Sequence, residues 1–304
     1  MWRRADPGRG VTRTLGMKLL LKILLLPSAL LATVAACSPL ASVNAVSPDH
    51  GYSVEKDIAF GPEDRQSLDV YRPDSPRPDA PVVMFFYGGS WKRGDKDGYR
   101  FVGQSLAARG YTVVIPDYRL YPEVRFPAFV EDGAAAVGWA SRNLSEAENG
   151  IVLIGHSAGA HTAALLALDG SYLRAQAVPP DQLAGMIGLA GPYAFDPRPY
   201  RSYRKIFAPA TPPETSQPMT HARGDGPPLL LLHGDDDNLV KSMHSQALQE
   251  RVAGLGGEAR YVEFEEVDHF EILVALSDTL DYLAPVLPEI EAFLEARQGV
   301  AESS

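Results

Sequence analysis

Cysteine is nearly missing from this 304-residue chain, which has one copy, Cys37. A lone cysteine cannot close an internal disulfide, so covalent cross-links play no part in holding the fold. Positive charge is also scarce: 28 Lys and Arg face 38 Asp and Glu, for a formal charge of −10. Residues 1–37 contain six basic residues and one acidic residue, which leaves −15 on the rest of the chain. A body this acidic lacks the electrostatic footprint that nucleic acid requires, and anionic lipid would not attract it. The apolar run from Ile23 to about Ala36 is too short to cross a bilayer. No fixed period repeats, and no stretch is low in complexity. What is present is a hydrophobic content of 45%, enough to bury a full core as one α/β domain or as two small ones.

The start of the chain has the layout of an export signal. Met17-Lys18 opens a short positive region ending at Lys22, followed by the apolar run. Residues 1–16, rich in Arg and Gly, lie outside that pattern. Either Met17 is the true start or these residues lengthen the positive region. The run closes on Val34-Ala35-Ala36-Cys37, which resembles the bacterial lipobox, where the cysteine is lipidated and becomes the mature N-terminus. Residues 1–37 are therefore expected to be a lipoprotein signal peptide, with membrane attachment through Cys37. Ser38 follows instead of the aspartate that resembles an inner-membrane retention signal, so a Gram-negative cell would carry the protein at its outer membrane. Residues 38–53, opening with Ser, Pro, Ala and Asn, read as a flexible tether.

From Val54 onward, strand and helix patterns alternate. Val54 to Phe60 and Ser67 to Tyr71 read as an antiparallel pair at a sheet edge. Pro81 to Tyr87, Tyr111 to Ile115, Ile151 to Ile154, Gly185 to Leu189, Leu229 to Leu232 and Arg260 to Glu265 read as strands. Helical spacing covers Gly98 to Arg109, Phe129 to Asn143, Ala160 to Leu168, Ser242 to Val252 and Leu280 to Ala296, the last broken near Pro285 and Pro288. This alternation predicts an α/β fold, a mostly parallel sheet with helices on both faces. Such sheets bind ligands at the carboxyl ends of their strands.

The residues with chemical potential fall at those ends. Gly155-His156-Ser157-Ala158-Gly159 follows an apolar strand and precedes a helix rich in Ala and Leu, the setting of a nucleophile elbow. The turn is tight enough that a Cβ at Gly155 or Gly159 would meet neighbouring backbone. A serine nucleophile needs a base, an acid to orient that base, and donors for the developing oxyanion. The strand Leu229–Leu232 delivers Asp235, Asp236 and Asp237, of which two read as solvated loop residues. No second acidic cluster supports a calcium or magnesium site, so no metal is expected. Only His244 and His269 follow the aspartates. His244 lies on a helix, whereas His269 lies in a loop between the last strand and the closing helix, from which it could reach Ser157. His156, His161 and His233 read as supporting residues, His233 as an anchor for the acid loop. The N–H of Ala158 begins a helix and is one oxyanion donor. Gly88 and Gly89, after the Pro81–Tyr87 strand, let the backbone approach a substrate carbonyl.

Five pieces carry a resemblance: Tyr87-Gly88-Gly89-Ser90-Trp91; Asp117-Tyr118-Arg119-Leu120 with Phe126-Pro127-Ala128; Gly155-His156-Ser157-Ala158-Gly159; His233-Gly234-x-x-Asp237-x-x-Val240; and Asp268-His269-Phe270-Glu271. In this order they resemble the esterase and lipase branch of the α/β-hydrolase superfamily, near its hormone-sensitive-lipase-like, feruloyl-esterase-like and kynurenine-formamidase-like groups. The resemblance implies an α/β-hydrolase domain over residues 54–298. It also implies a cofactor-free serine carboxylesterase that acts on small-molecule esters with small or medium acyl groups. An amidase or formamidase using the same parts, or an inactive envelope binding protein, is the alternative. The His-Gly-x-x-Asp spacing selects Asp237 as the acid, with Asp236 as fallback. Ser157 is then the nucleophile, His269 the base, and Gly88, Gly89 and Ala158 the oxyanion hole, with Trp91 and His156 expected at the substrate. The family pattern opens the glycine loop with histidine, but this chain has Tyr87, whose hydroxyl can also donate and accept hydrogen bonds. Residues 191–228, with nine prolines and several aromatics, lie where the family often carries a cap. The sequence sets no oligomeric state.

Overall fold

The computed structural model describes residues 39–298, so the expected signal peptide and Cys37 lie outside the described residues. Eight strands form one sheet: β1 (Tyr52–Ala59), β2 (Ser67–Pro73), β3 (Val82–Phe86), β4 (Val113–Pro116), β5 (Ile151–His156), β6 (Leu183–Leu189), β7 (Leu229–Gly234) and β8 (Ala259–Phe264). Their order across the sheet is β1-β2-β4-β3-β5-β6-β7-β8. β1 pairs antiparallel with β2, and β2 antiparallel with β4; every other pairing is parallel. The predicted edge hairpin is thus present, and the parallel remainder needs crossovers, which the helices supply.

The longer helices are α1 (Pro39–Val46), α2 (Arg100–Ala108), α3 (Ala128–Asn143), α4 (Ala158–Leu168), α5 (Met243–Gly254) and α6 (Val286–Glu295). Strand β3 shows why two helical layers are needed. Its five residues are all buried, and neighbouring side chains on a strand point to opposite faces. The Phe85 ring meets Tyr99, just before α2, while Phe86 lies against the α3 backbone at Gly133. Both faces are covered, so the strand has no polar side to display. The closing helix begins at Val286, directly after Pro285. The residues before it form only a short 3-10 turn, Asp281–Leu283, so the break anticipated from the prolines separates two elements.

One expectation is corrected. Residues 39–48, read as the start of a flexible tether, fold and dock. The Asn44 Oδ1 accepts from the Phe101 N–H at 3.0 Å, in the first turn of α2. The Arg100 guanidinium donates to the carbonyls of Asn44, Ser47 and Pro48. Val43 is buried, and the Thr279 hydroxyl donates to the Val46 carbonyl. The side chains read as tether composition are here caps and ligands for a helix encountered more than fifty residues later.

Candidate active site

Strand β5 ends at His156 and α4 begins at Ala158, which leaves Ser157 alone in the turn. Its backbone sits at φ 54, ψ −119, a conformation that costs an L residue about 1–3 kcal/mol and persists only where its surroundings enforce it. Glycine is needed on both sides of it. A Cβ at Gly155 would lie 2.4 Å from the Gly159 carbonyl oxygen, and one at Gly159 would lie 2.0 Å from that of Phe86.

His269, between β8 and the single-turn helix Glu271–Val274, brings its Nε2 to 2.9 Å from the Ser157 Oγ. Its Nδ1 lies 2.6 Å from the Asp237 Oδ2. A carboxylate at Nδ1 keeps the proton there and leaves Nε2 as an acceptor for the serine proton. Asp237 is itself fixed: its Oδ1 accepts from the N–H groups of Leu239 and Val240, both at 2.8 Å. The His233 Nε2 lies 2.8 Å from the Val240 carbonyl and 3.2 Å from the Asp237 Oδ2, so this nitrogen carries a hydrogen that both oxygens share. Burial alone would raise the Asp237 carboxyl. Hydrogen bonds from His233, His269 and the Val240 N–H outweigh it and hold the group well below the usual carboxylate range. The other two aspartates are exposed and engaged elsewhere, Asp235 with the Glu266 N–H and Asp236 with Asn238.

The loop after β3 comes beside the serine. A Cβ on Gly88 would lie 3.1 Å from the Ser157 Cβ. Gly89 sits at φ +133, where an added Cβ would lie 2.0 Å from the Arg93 carbonyl oxygen, so only glycine fits. Among the described residues no acceptor engages the N–H of Gly88 or Gly89. Ala158 is the first residue of α4, at the positive end of its dipole.

Tyr87, at the position where histidine was expected, is fully buried. Its hydroxyl donates to the Asp117 Oδ1 at 2.6 Å and accepts from the Arg65 Nη2 at 2.8 Å. Its ring stacks between Tyr99 and Tyr118, at 5.1 and 4.7 Å. Burial is the main reason the Asp117 carboxyl lies above its ordinary value, partly offset by Tyr87, Arg65 and the Lys96 N–H. A hydroxyl therefore stands where the family pattern has histidine, in a stacked aromatic setting.

A family model, BD-FAE, matches residues 68–182, from β2 to the residue before β6, a span that holds Gly88, Gly89 and Ser157. Esterase LipC of Mycobacterium tuberculosis is 28% identical over 247 residues, covering 73% of this chain and 61% of that protein. A probable isoprenylcysteine alpha-carbonyl methylesterase of Arabidopsis thaliana, ICMEL1, is 27% identical over 248 residues, covering 73% of this chain and 52% of that protein. The chain thus spans little more than half the length of these curated relatives. Esterase B of Lactobacillus rhamnosis, solved in an inhibited form, superposes with a TM-score of 0.73 at 20% identity, over 93% of this chain and 100% of that one. The chain has the α/β-hydrolase fold, and the curated relatives it is similar to are esterases.

In this chain, the two residues expected to contact substrate have other surroundings. His156 and Trp91 are each only 3% exposed. The His156 Nε2 donates to the His269 carbonyl at 2.9 Å, so its ring holds the main chain of the neighbouring histidine. Burial, and His269 beside it, push this imidazole down to about 3, so it stays neutral. Trp91 packs with Phe129, His161, Phe195, Tyr203 and Phe207. Three of those rings come from residues 191–228, and the Tyr203 hydroxyl reaches the Ser90 Oγ at 3.4 Å. The His161 Nε2 donates to the Ser216 carbonyl at 2.7 Å, which ties the same segment to α4. Trp91 thus joins the glycine loop to the 191–228 segment. Arg65 was not anticipated. It lies in a polar loop 22 positions before Tyr87, and nothing in its local pattern marks it.

Proposed function

We propose that this protein is a serine carboxylesterase for small or medium acyl esters, exported and held at the cell envelope by a lipid on Cys37. The observation that carries the catalytic reading is the continuous path from the Ser157 Oγ through His269 to Asp237, at 2.9 and 2.6 Å, beside the glycine loop. In this reaction the Ser157 Oγ attacks the ester carbonyl while the His269 Nε2 takes its proton. The carbonyl oxygen becomes an oxyanion, received by the N–H groups of Gly88, Gly89 and Ala158. His269 returns the proton to the departing alkoxide, leaving an acyl-Ser157. Water attacks that ester with His269 as base again, and the acid is released. Asp237 stays ionised throughout and stabilises the imidazolium form of His269. His156, neutral and hydrogen-bonded, adds no competing positive charge beside it.

The acyl range rests on the aromatic cluster around Trp91, which fills space on one side of the glycine loop. Residues 191–228 serve as a cap in this reading, supported by their contacts with Trp91, Ser90 and His161. The envelope location rests on the signal-like layout of residues 17–37. A fluorophosphonate probe tests the enzyme reading. Folded wild-type protein is expected to label and to hydrolyse p-nitrophenyl butyrate, and Ser157→Ala to do neither. Equal labelling of the two proteins would overturn the assignment.

A further inference from the structure

The glycine loop holds three successive residues at positive φ: Gly89 at +133, Ser90 at 58 and Trp91 at 58. Only the first is glycine. Such a run relaxes unless the neighbouring structure over-determines it. The donors at Gly88 and Gly89 would relax with it, and a donor that must reorganise during the reaction stabilises an oxyanion poorly.

One nitrogen holds both ends of that loop. The Arg65 Nη2 donates to the Tyr87 Oη at 2.8 Å and to the Gly94 carbonyl at 2.7 Å. Tyr87 precedes the first oxyanion glycine, and Gly94 closes the loop. The Arg65 Nε donates to the Tyr118 carbonyl at 2.8 Å, and the Tyr118 hydroxyl donates back to the Tyr87 carbonyl at 2.6 Å. Because Arg65 supplies the hydrogen to the Tyr87 Oη, the phenol directs its own hydrogen to Asp117, which also accepts from the Lys96 N–H at 2.9 Å. The arrangement needs a rigid planar fork, with two hydrogens on one nitrogen and a third on its neighbour. A lysine ammonium on a flexible stem does not reproduce it.

We propose that Arg65 is a positioning residue for the oxyanion hole, its guanidinium closing the 87–94 loop from both ends so that Gly88 and Gly89 are held ready. The inference rests on the serine esterase reading and adds to it a residue whose hydrogen bonds go to Tyr87, Gly94, Tyr118 and Asp117, outside the Ser157–His269–Asp237 set.

The test compares wild type, Arg65→Met, Arg65→Lys, Arg65→Ala and Tyr87→Phe on p-nitrophenyl butyrate, with rates taken per site titrated by a fluorophosphonate. Arg65→Met is expected to lose about 10- to 100-fold in kcat, with KM within about threefold of wild type. A trifluoromethyl ketone, whose adduct carries the oxyanion, should lose affinity by the same factor as kcat/KM. Arg65→Lys should not recover the loss, whereas millimolar guanidinium added to Arg65→Ala should recover part of it, since the Arg65 side chain is 28% exposed. Tyr87→Phe, which removes one hydroxyl, should show a smaller loss of the same kind. If Arg65 serves stability alone, the per-site kcat and the ketone affinity will stay at wild-type values while the melting temperature falls, and the inference fails. Wild-type protein that neither labels nor hydrolyses the ester would instead defeat the esterase reading itself.

Discussion

The His156 imidazole and the His269 main chain are joined by a hydrogen bond of 2.9 Å between two buried groups. The residue before the proposed nucleophile therefore fixes the backbone of its proposed base. This bond has a pH consequence. His156, pushed down to about 3, and His161, pushed down to about 4, fold as neutral rings, with burial the main cause in both. In the unfolded chain each takes up a proton near pH 6.5. Below that pH the unfolded state binds more protons, so stability falls as the solution is acidified. The window runs from 6.5 down to about 4 for His161 and to about 3 for His156, at about 1.4 kcal/mol per pH unit for each fully buried ring. Asp237 adds nothing in the upper part of that window. Its stabilisation is present above the unfolded value of 3.8 and is lost only as pH falls below it. Urea midpoints at pH 7 and pH 4.5 are expected to differ. His156→Gln, which keeps an amide donor but cannot titrate, should narrow the gap; an unchanged gap would rule out neutral burial of that ring.

Gly89 is the position where backbone geometry and proposed chemistry meet. An alanine there would place its Cβ 2.0 Å from the Arg93 carbonyl oxygen at a φ of +133. The loop must move, and the donor beside the serine moves with it. Gly89→Ala is expected to lose about 100-fold or more in kcat/KM. Gly254, at the end of α5, has nothing within 4 Å of an added Cβ. Gly254→Ala should keep full activity and gain up to about 1 kcal/mol in urea unfolding. Comparable losses in the two variants would show that the Gly89 effect is not local.

Much of this arrangement is legible in the sequence. Ser157, Asp237 and His269 each follow a strand, and parallel strands deliver their following residues to one edge of the sheet. Gly88 and Gly89 were readable because paired glycines after a buried strand signal close backbone approach. Arg65 was not, since its partners Tyr87, Gly94 and Tyr118 become neighbours only after the sheet forms. The burial of Trp91 was hidden for a related reason, whereas His156 was legible as a supporting residue. Proximity in sequence to a catalytic motif does not say whether a ring faces the substrate or the core. Helix α1 was missed because Ser, Asn and Pro suggest open chain, while the groups that capture them lie on α2 and beyond.

The docking of α1 makes its own prediction. The Asn44 Oδ1 satisfies the Phe101 N–H, and its Nδ2 donates to the Asp97 carbonyl at 2.9 Å. Asn44→Ala leaves a first-turn N–H of α2 without its side-chain partner, a loss worth about 0.5–2 kcal/mol. Urea denaturation of the chain from residue 38 onward should show that decrease with kcat unchanged. A midpoint equal to wild type would mean that α1 contributes nothing to the fold.

The three adjacent aspartates offer a sharper test of the acid. Asp237 is 1% exposed and holds His269, whereas Asp235 and Asp236 are exposed. Asp237→Asn keeps the shape but presents an amide to the His269 Nδ1, which removes the charge that stabilises the imidazolium and unsettles the tautomer. A loss of about 10³- to 10⁴-fold in kcat is expected. Asp235→Asn should stay within about threefold of wild type, because Asp235 only accepts from the Glu266 N–H. The reverse ranking would refute the assignment of Asp237.

The proposed lipid on Cys37 can be tested independently of catalysis. The docked helix begins at Pro39, two residues after Cys37. Two residues of extended chain reach about 7 Å, so an acylated Cys37 would hold the body close against the bilayer. Charge cannot supply that attachment, because the chain beyond residue 37 carries −15 and is repelled by anionic lipid. Wild-type protein is therefore expected in the membrane fraction of the expressing cell and should resist a 1 M salt wash, a concentration at which screening shortens electrostatic reach to about 3 Å. Cys37→Ser should move to the soluble fraction with kcat intact, since the proposed ester chemistry uses Ser157, His269 and Asp237. Membrane attachment that survives Cys37→Ser would place the anchor elsewhere in the chain.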